Sequence, residues 1–369
     1  MGDGRGRSRW RRAWVFALAL SSLVLGGMVY GLQRFPTFSA PTGVPNHFVG
    51  AYHVHSARSH DSKVPPQVWA AAAARAGLDF IVLTDHNVEP QRPQMIDGVL
   101  VLFEREASTP HGHRVDLGGR AIAAHPTDPK RPWLGPLHEM SGLEIASTSA
   151  SVRRCGGFAY LNLLPALFVG LLRPEAGLLQ IYDRDQRALD LWDHEPHRPF
   201  AGLCSADAHG WLPASLEMSL WRVALPTEGI GRPVQPEHAP AILEALAKGR
   251  SFCLAGVLPV SWSVQLRAQD GHGQWLALAD GSLSSPSVQQ LEARVDVGAE
   301  APPGKMLLQI FRDGLPVCTT SQKICSIPTP GPGVYRSEVS FDIPKPLWGS
   351  RRVPLLYGNR VLLTAGDHD

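Results

Sequence analysis

The sequence lacks any thiolate cluster. Its five cysteines, Cys155, Cys204, Cys253, Cys318 and Cys325, are scattered without metal-site spacing, which sets aside a cysteine-based zinc site. No phosphate-cradling Gly-rich loop, dinucleotide fingerprint or Ser-His-Asp grouping is present, so the nucleotide-fold and serine-hydrolase chemistries have no support. Net charge is only +2, and the first twelve residues hold five arginines against one aspartate. The remainder is therefore about −2, with no basic stripe or interleaved aromatics, and nucleic acid ranks below small molecules as a partner. There is no clear internal repeat.

What is there begins with a globular composition, 44% apolar over 369 residues, with its 32 prolines and 36 glycines spread along the chain. Two domains are the expectation at this length. Residues 1–12 read as a basic cytoplasmic N-terminus. Residues 13–32, AWVFALALSSLVLGGMVYGL, carry no charge and predict a transmembrane signal-anchor helix. A cleaved signal peptide is the competing reading, with only a poor cleavage site in MVYGLQRF. Residues 33–46 are a Pro-containing linker. The rest is then expected on the extracytoplasmic side of a bacterial inner membrane. There Cys318 and Cys325, flanking a short polar segment, suit a hairpin disulfide, while the other cysteines read as buried apolar positions or free thiols.

From residue 47 the pattern alternates buried strands, polar residues at their ends, and helices, which predicts a barrel-like α/β domain over 47–257. The apolar run at 157–172 is short and broken by Asn162 and Pro165, so it reads as a buried helix. Beyond 257 the apolar period changes to two, predicting a small all-β sandwich over 258–369.

The stretch 51–87, AYHVHSARSHDSKVPPQVWAAAAARAGLDFIVLTDHN, organises the first domain. His53 and His55 are two apart on a strand and should leave one face. Asp61 follows in a loop, a helix ends at Gly77, and a second strand delivers His86. Further on, Glu106, His113, His125, Asp207 and His209 lie at other strand ends. Nine nitrogen and oxygen donors exceed the needs of one ion, and they predict two or three divalent ions close together with a carboxylate between them. Glu104, two residues before Glu106, is a weaker candidate. Asp85 is expected to orient His86 or a neighbour from behind, and Glu144 either lines the pocket or belongs to its strand.

The motifs HVHS, SHDS, LTDHN, EAST with GHRVDLG, AHP and SADAHG resemble, in order, those of the PHP superfamily of polymerase and histidinol phosphatase domains, over roughly residues 47–257. The resemblance implies a distorted (β/α)7 TIM-like barrel hydrolysing phosphoesters with two or three ions of Zn, Mn or Fe. It implies that His53, His55, Glu106 and Asp207 hold one ion, and that Glu106, His113 and His125 hold a second. Asp61, His86 and His209 would hold a third. A metal-bound hydroxide would attack phosphorus, with Asp207 and His209 the candidates for acid–base roles, on a small-molecule or envelope phosphoester. The sequence departs from the family where Glu104 replaces a usual glycine. Hydrolysis of a non-phosphate bond and a non-catalytic surface module are the alternatives.

Overall fold

The computed structural model describes residues 10, 14–19, 21–22, 25–26, 47–154, 170, 173–195, 199–226, 232–276, 282–284, 287–297, 304–345 and 349–365. Ten strands come first: β1 (His47–Val54), β2 (Phe80–His86), β3 (Gln91–Ile96), β4 (Val99–Thr109), β5 (Gly112–Leu117), β6 (Arg120–Ala123), β7 (Gly142–Ser147), β8 (Ala201–Ser205), β9 (Trp221–Pro226) and β10 (Phe252–Ala255). Among them lie the short helices α1 (Pro66–Arg75), α2 (Thr148–Arg154), α3 (Pro174–Leu178), α4 (Gln186–His194), α5 (Ala214–Glu217) and α6 (Ala239–Ala247). Nine further strands are described after these: β11 (Ser263–Gln269), β12 (Trp275–Leu276), β13 (Ser282–Ser284), β14 (Gln290–Asp296), β15 (Met306–Arg312), β16 (Leu315–Thr320), β17 (Ile324–Pro328), β18 (Gly333–Pro344) and β19 (Ser350–Thr364).

The expected α/β barrel is overturned. The fold is mostly β, built on one mixed sheet of 15 strands whose main path runs β16-β15-β18-β19-β10-β9-β1-β2-β4-β5-β6-β7-β8. The reason lies in the connections. Asp97–Gly98 between β3 and β4, and Gly118–Gly119 between β5 and β6, all have positive φ, the backbone of tight two-residue hairpins. Strands β3 to β6 therefore pair antiparallel, with no room for crossover helices. Parallel pairing survives at β1–β2–β4 and β6–β7–β8.

Nor do the later strands close into a sandwich of their own. β19 pairs with β10, so β15, β16, β18 and β19 continue the large sheet, while β12, β11, β14 and β17 form a second sheet of four. One hydrophobic core joins the two regions, from Val49 and Trp69 through Trp192 and Trp221 to Trp262, Phe341 and Tyr357. Each of these aromatic side chains is almost fully buried, stabilising the fold by about 1.5–3 kcal/mol or more apiece.

The transmembrane helix expected over 13–32 is likewise not found: among the described residues no helix is long and apolar enough to cross a membrane. Much of that segment, and nearly all of the helix expected over 157–172, lies outside the described residues. Among the described residues there are two disulfides. Cys318–Cys325 joins β16 to β17, as the spacing suggests, and Cys204–Cys253 joins β8 to β10. The second corrects the reading of Cys204 and Cys253 as unpaired. They are 49 residues apart, and only the sheet topology brings them together.

Candidate metal centre

All nine predicted donors converge at one place. His53 and His55 come from β1 and the residue after it. Asp61 comes from the following loop, His86 from the end of β2, Glu106 from β4, His113 from β5 and His125 from just after β6. Asp207 and His209 follow β8, whose continuation is held beside the end of β1 by His55 N–H to Ala208 O (2.8 Å) and Ala206 N–H to Tyr52 O (3.1 Å). Helix α1 is fastened beneath them: Trp69 is buried and donates its indole N–H to His55 O at 2.9 Å.

His53 does not reach the site by simple alternation. The β1–β2 register slips between Tyr52 and Val54, leaving His53 as the extra residue of a bulge with φ 64°. Bulges re-aim a side chain in this way. His125 (φ 29°) and Asp207 (φ 47°) also sit in the left-handed region that non-glycine residues avoid, at a cost of about 1–3 kcal/mol each. Three strained residues in one cluster mark a place where side-chain position outweighs backbone comfort.

Glu106 is the hub, 1% exposed. Its Oε2 lies 3.2 Å from His53 Nε2, 3.3 Å from His55 Nε2 and 3.3 Å from His86 Nε2. Its Oε1 lies 2.9 Å from His113 Nδ1 and 3.2 Å from His125 Nε2. Asp207 Oδ1 is 3.6 Å from both His53 Nε2 and His55 Nε2, which are 3.1 Å from each other. The donor atoms of His53, His55 and Asp207 lie close enough together to share one ion, with Glu106 Oε2 beside both imidazoles; Zn²⁺ and similar ions hold nitrogen and oxygen at about 2 Å. Asp61 Oδ2 stands 3.1 Å from both His86 Nε2 and His209 Nε2. The donors thus form one continuous cluster, with His86 reaching both Asp61 and Glu106.

The tautomers explain why a cation belongs there. Glu144 accepts Nδ1–H of His53 at 2.6 Å, and the backbone O of Asp207 accepts Nδ1–H of His209 at 2.9 Å. A neutral imidazole so fixed turns the Nε2 lone pair inward. Those lone pairs face carboxylate oxygens at 3.1–3.2 Å, and only a proton or a metal ion between them makes the arrangement favourable. Without metal, protons fill the role. Burial disfavours charge on His53, but Glu144, Glu106 and Asp207 outweigh it and hold its pKa well above the usual range. Burial is likewise outweighed at His55, where hydrogen bonds to Asp207 and Glu106 push the pKa up to about 9. Against their own desolvation, Glu106 and Asp207 are held well below the usual carboxylate range, chiefly by His53.

Several neighbours were not singled out by sequence, or were read differently. Glu144 is 1% exposed and also accepts His125 N–H at 2.8 Å and the Ser205 hydroxyl at 2.9 Å. It supports two candidate ligands from behind. Ser149 donates to Asp207 Oδ2. Asp85 accepts Ser56 N–H (2.7 Å) and the Ser56 hydroxyl (2.8 Å), fixing the turn that follows His55. Glu104 accepts Gly118 N–H at 3.0 Å and stays out of the cluster. His111, two residues before His113, is exposed and packs near Trp133, outside the cluster.

The cluster floors an open cavity of about 260 Å³ whose wall also carries His60, Lys130, Arg131, Arg153 and Trp211. Arg153 is engaged by Asp128. Lys130 and Arg131 are exposed and have no ion-pair partner among the described residues. Compared with known proteins, the sequence matches no family model and no curated protein. The chemistry of the site therefore rests on its own geometry.

Proposed function

We propose that the protein is a metal-dependent phosphoesterase. The observation that carries the reading is the pairing of an inward-facing cage of imidazole and carboxylate donors with a cationic rim on the same cavity. The motif resemblance to the PHP superfamily supports the same chemistry, although the mixed sheet is not the barrel that resemblance implies.

His53, His55, Glu106 and Asp207 would hold one ion, Glu106 with His113 and His125 a second, and Asp61 with His86 and His209 a third. Zn, Mn and Fe all suit these nitrogen and oxygen donors. Such ions, when bound, lower the pKa of water and neutralise charge on phosphoryl oxygens. The chain's own residues do the rest. Lys130 and Arg131 attract and orient the anionic ester, Arg131 with a planar fork suited to phosphoryl oxygens. The bond from His209 Nδ1–H to Asp207 O gives His209 the tautomer of a ligand, so it is less suited to donate a proton to the leaving group. Exposed His60, whose ring centroid is 5.4 Å from that of His86, is better placed to do so. A neutral amide would gain nothing from the cationic rim, which favours a phosphoester over the amidohydrolase alternative.

The test is metal analysis of protein purified without chelator, with hydrolysis measured as phosphate released from monoesters, alcohol released from diesters and amine released from amides. Lys130→Ala combined with Arg131→Ala is expected to lower kcat/KM for phosphoesters by about a hundredfold or more, each lost charged contact contributing about 1.5–3 kcal/mol. Hydrolysis of no phosphomonoester or phosphodiester with any divalent metal would overturn the proposal.

A further inference from the structure

Trp211, on the wall of the cavity, is 65% exposed, an uncommon state for so large an apolar side chain. It is nevertheless held firmly. Gly210 adopts φ 82°, with Val64 where a Cβ would point. Glu217, only 3% exposed, accepts Gly210 N–H at 2.9 Å and Leu212 N–H at 2.7 Å, gripping the chain on both sides of Trp211. Withdrawing a carboxylate from water to brace a surface loop is costly unless the shape of the loop matters. One indole face lies against His209, with centroids 4.6 Å apart and planes 12° from parallel. The indole is thus fixed beside the donor cluster, with most of its surface open.

We propose that Trp211 is the platform of a leaving-group subsite, on which a planar ring of the ester stacks while its phosphoryl group reaches the cluster and the Lys130–Arg131 rim. This rests on the phosphoesterase reading above and narrows it to esters whose leaving group carries an aromatic ring, such as a nucleoside. A lipid or protein contact would not require the indole to share a cavity wall with Asp61 and His125, as it does here.

Adenosine 5′-monophosphate and ribose 5-phosphate present the same primary phosphate ester with and without a ring, which makes them the probe pair. In the full-length protein the former is expected to bind about tenfold or more tightly, the usual worth of one base stacked on an aromatic side chain. Calorimetric titration reads the affinities and phosphate release reads kcat/KM. Trp211→Ala should abolish the ratio and Trp211→Phe should retain part of it, with circular dichroism confirming that both variants fold. Equal affinity and equal kcat/KM for the two probes, or a ratio that survives in Trp211→Ala, overturns the platform and leaves the phosphoesterase standing. Hydrolysis of no phosphomonoester or phosphodiester at all removes both.

Discussion

Replacing Glu144 with glutamine removes one charge, no volume and no candidate ligand. Three donors converge on the Glu144 carboxylate: His53 Nδ1–H on Oε1, and His125 N–H and the Ser205 hydroxyl on Oε2. A glutamine has one acceptor oxygen. Keeping it on His125 and Ser205 satisfies two donors and turns the amide NH₂ toward His53 Nδ1. That nitrogen must then accept, so the proton moves to Nε2, the atom facing Glu106 and His55. The inward lone pair is lost although no ligand has been mutated. Carboxylate partners of metal-bound histidines typically account for 10–100-fold in metal affinity, about 1.4–2.8 kcal/mol. Competition with a chromogenic chelator at fixed pH measures this directly, with Glu144→Asp as the variant that keeps the charge. Metal affinity within twofold of wild type in Glu144→Gln would refute the argument that Glu144 sets the His53 tautomer.

Three further outcomes can be measured. His55, with its pKa near 9, carries a proton at neutral pH in the metal-free protein, so a cation must displace it. Apparent metal affinity should climb with pH up to about 9, and calorimetric heats should differ between buffers of unlike ionisation enthalpy; identical heats would count against it. In the metal-free protein the same raised pKa contributes stability that is full below the unfolded value of about 6.5 and lost as pH rises through about 9, which thermal melts across that window would show. The two disulfides should differ in weight. Cys204–Cys253 closes a separation of 49 residues and Cys318–Cys325 one of 7, so serine pairs should cost about 4 and about 2.4 kcal/mol in urea unfolding, and equal costs would contradict the chain-entropy account.

Much of the site was legible because imidazoles and carboxylates at strand ends are rare unless they have work to do, and all nine meet as a cluster. The route was not fully legible. Alternation puts His53 and His55 on one face, but a bulge is what aims His53, and bulges leave no mark in a strand's composition. The mixed sheet had a signal that buried-strand patterns obscured: Asp97–Gly98 and Gly118–Gly119 are hairpin dipeptides, and weighting them would have argued against a repeating strand–helix barrel. Glu144 lies in the short apolar run GLEIA, where a lone acid reads equally well as pocket or strand. Its role depends on β6–β7 and β7–β8 pairing between distant segments. The rim residues Lys130 and Arg131 look like ordinary loop charges until the fold sets them above the cluster.

The bridge between Cys318 and Cys325 has a consequence for solubility. β16 is the last strand of the large sheet and β17 the last of the small one, and the apolar side chains of Leu315, Val317 and Ile324 stand exposed along them. Unprotected sheet margins of that kind recruit strands from other molecules. By fastening the two margins to each other, the bridge restrains both against the rearrangement that an incoming strand would need. Protein made under reducing conditions should accordingly self-associate through this corner while its donor cluster, on the opposite arm of the large sheet, stays assembled.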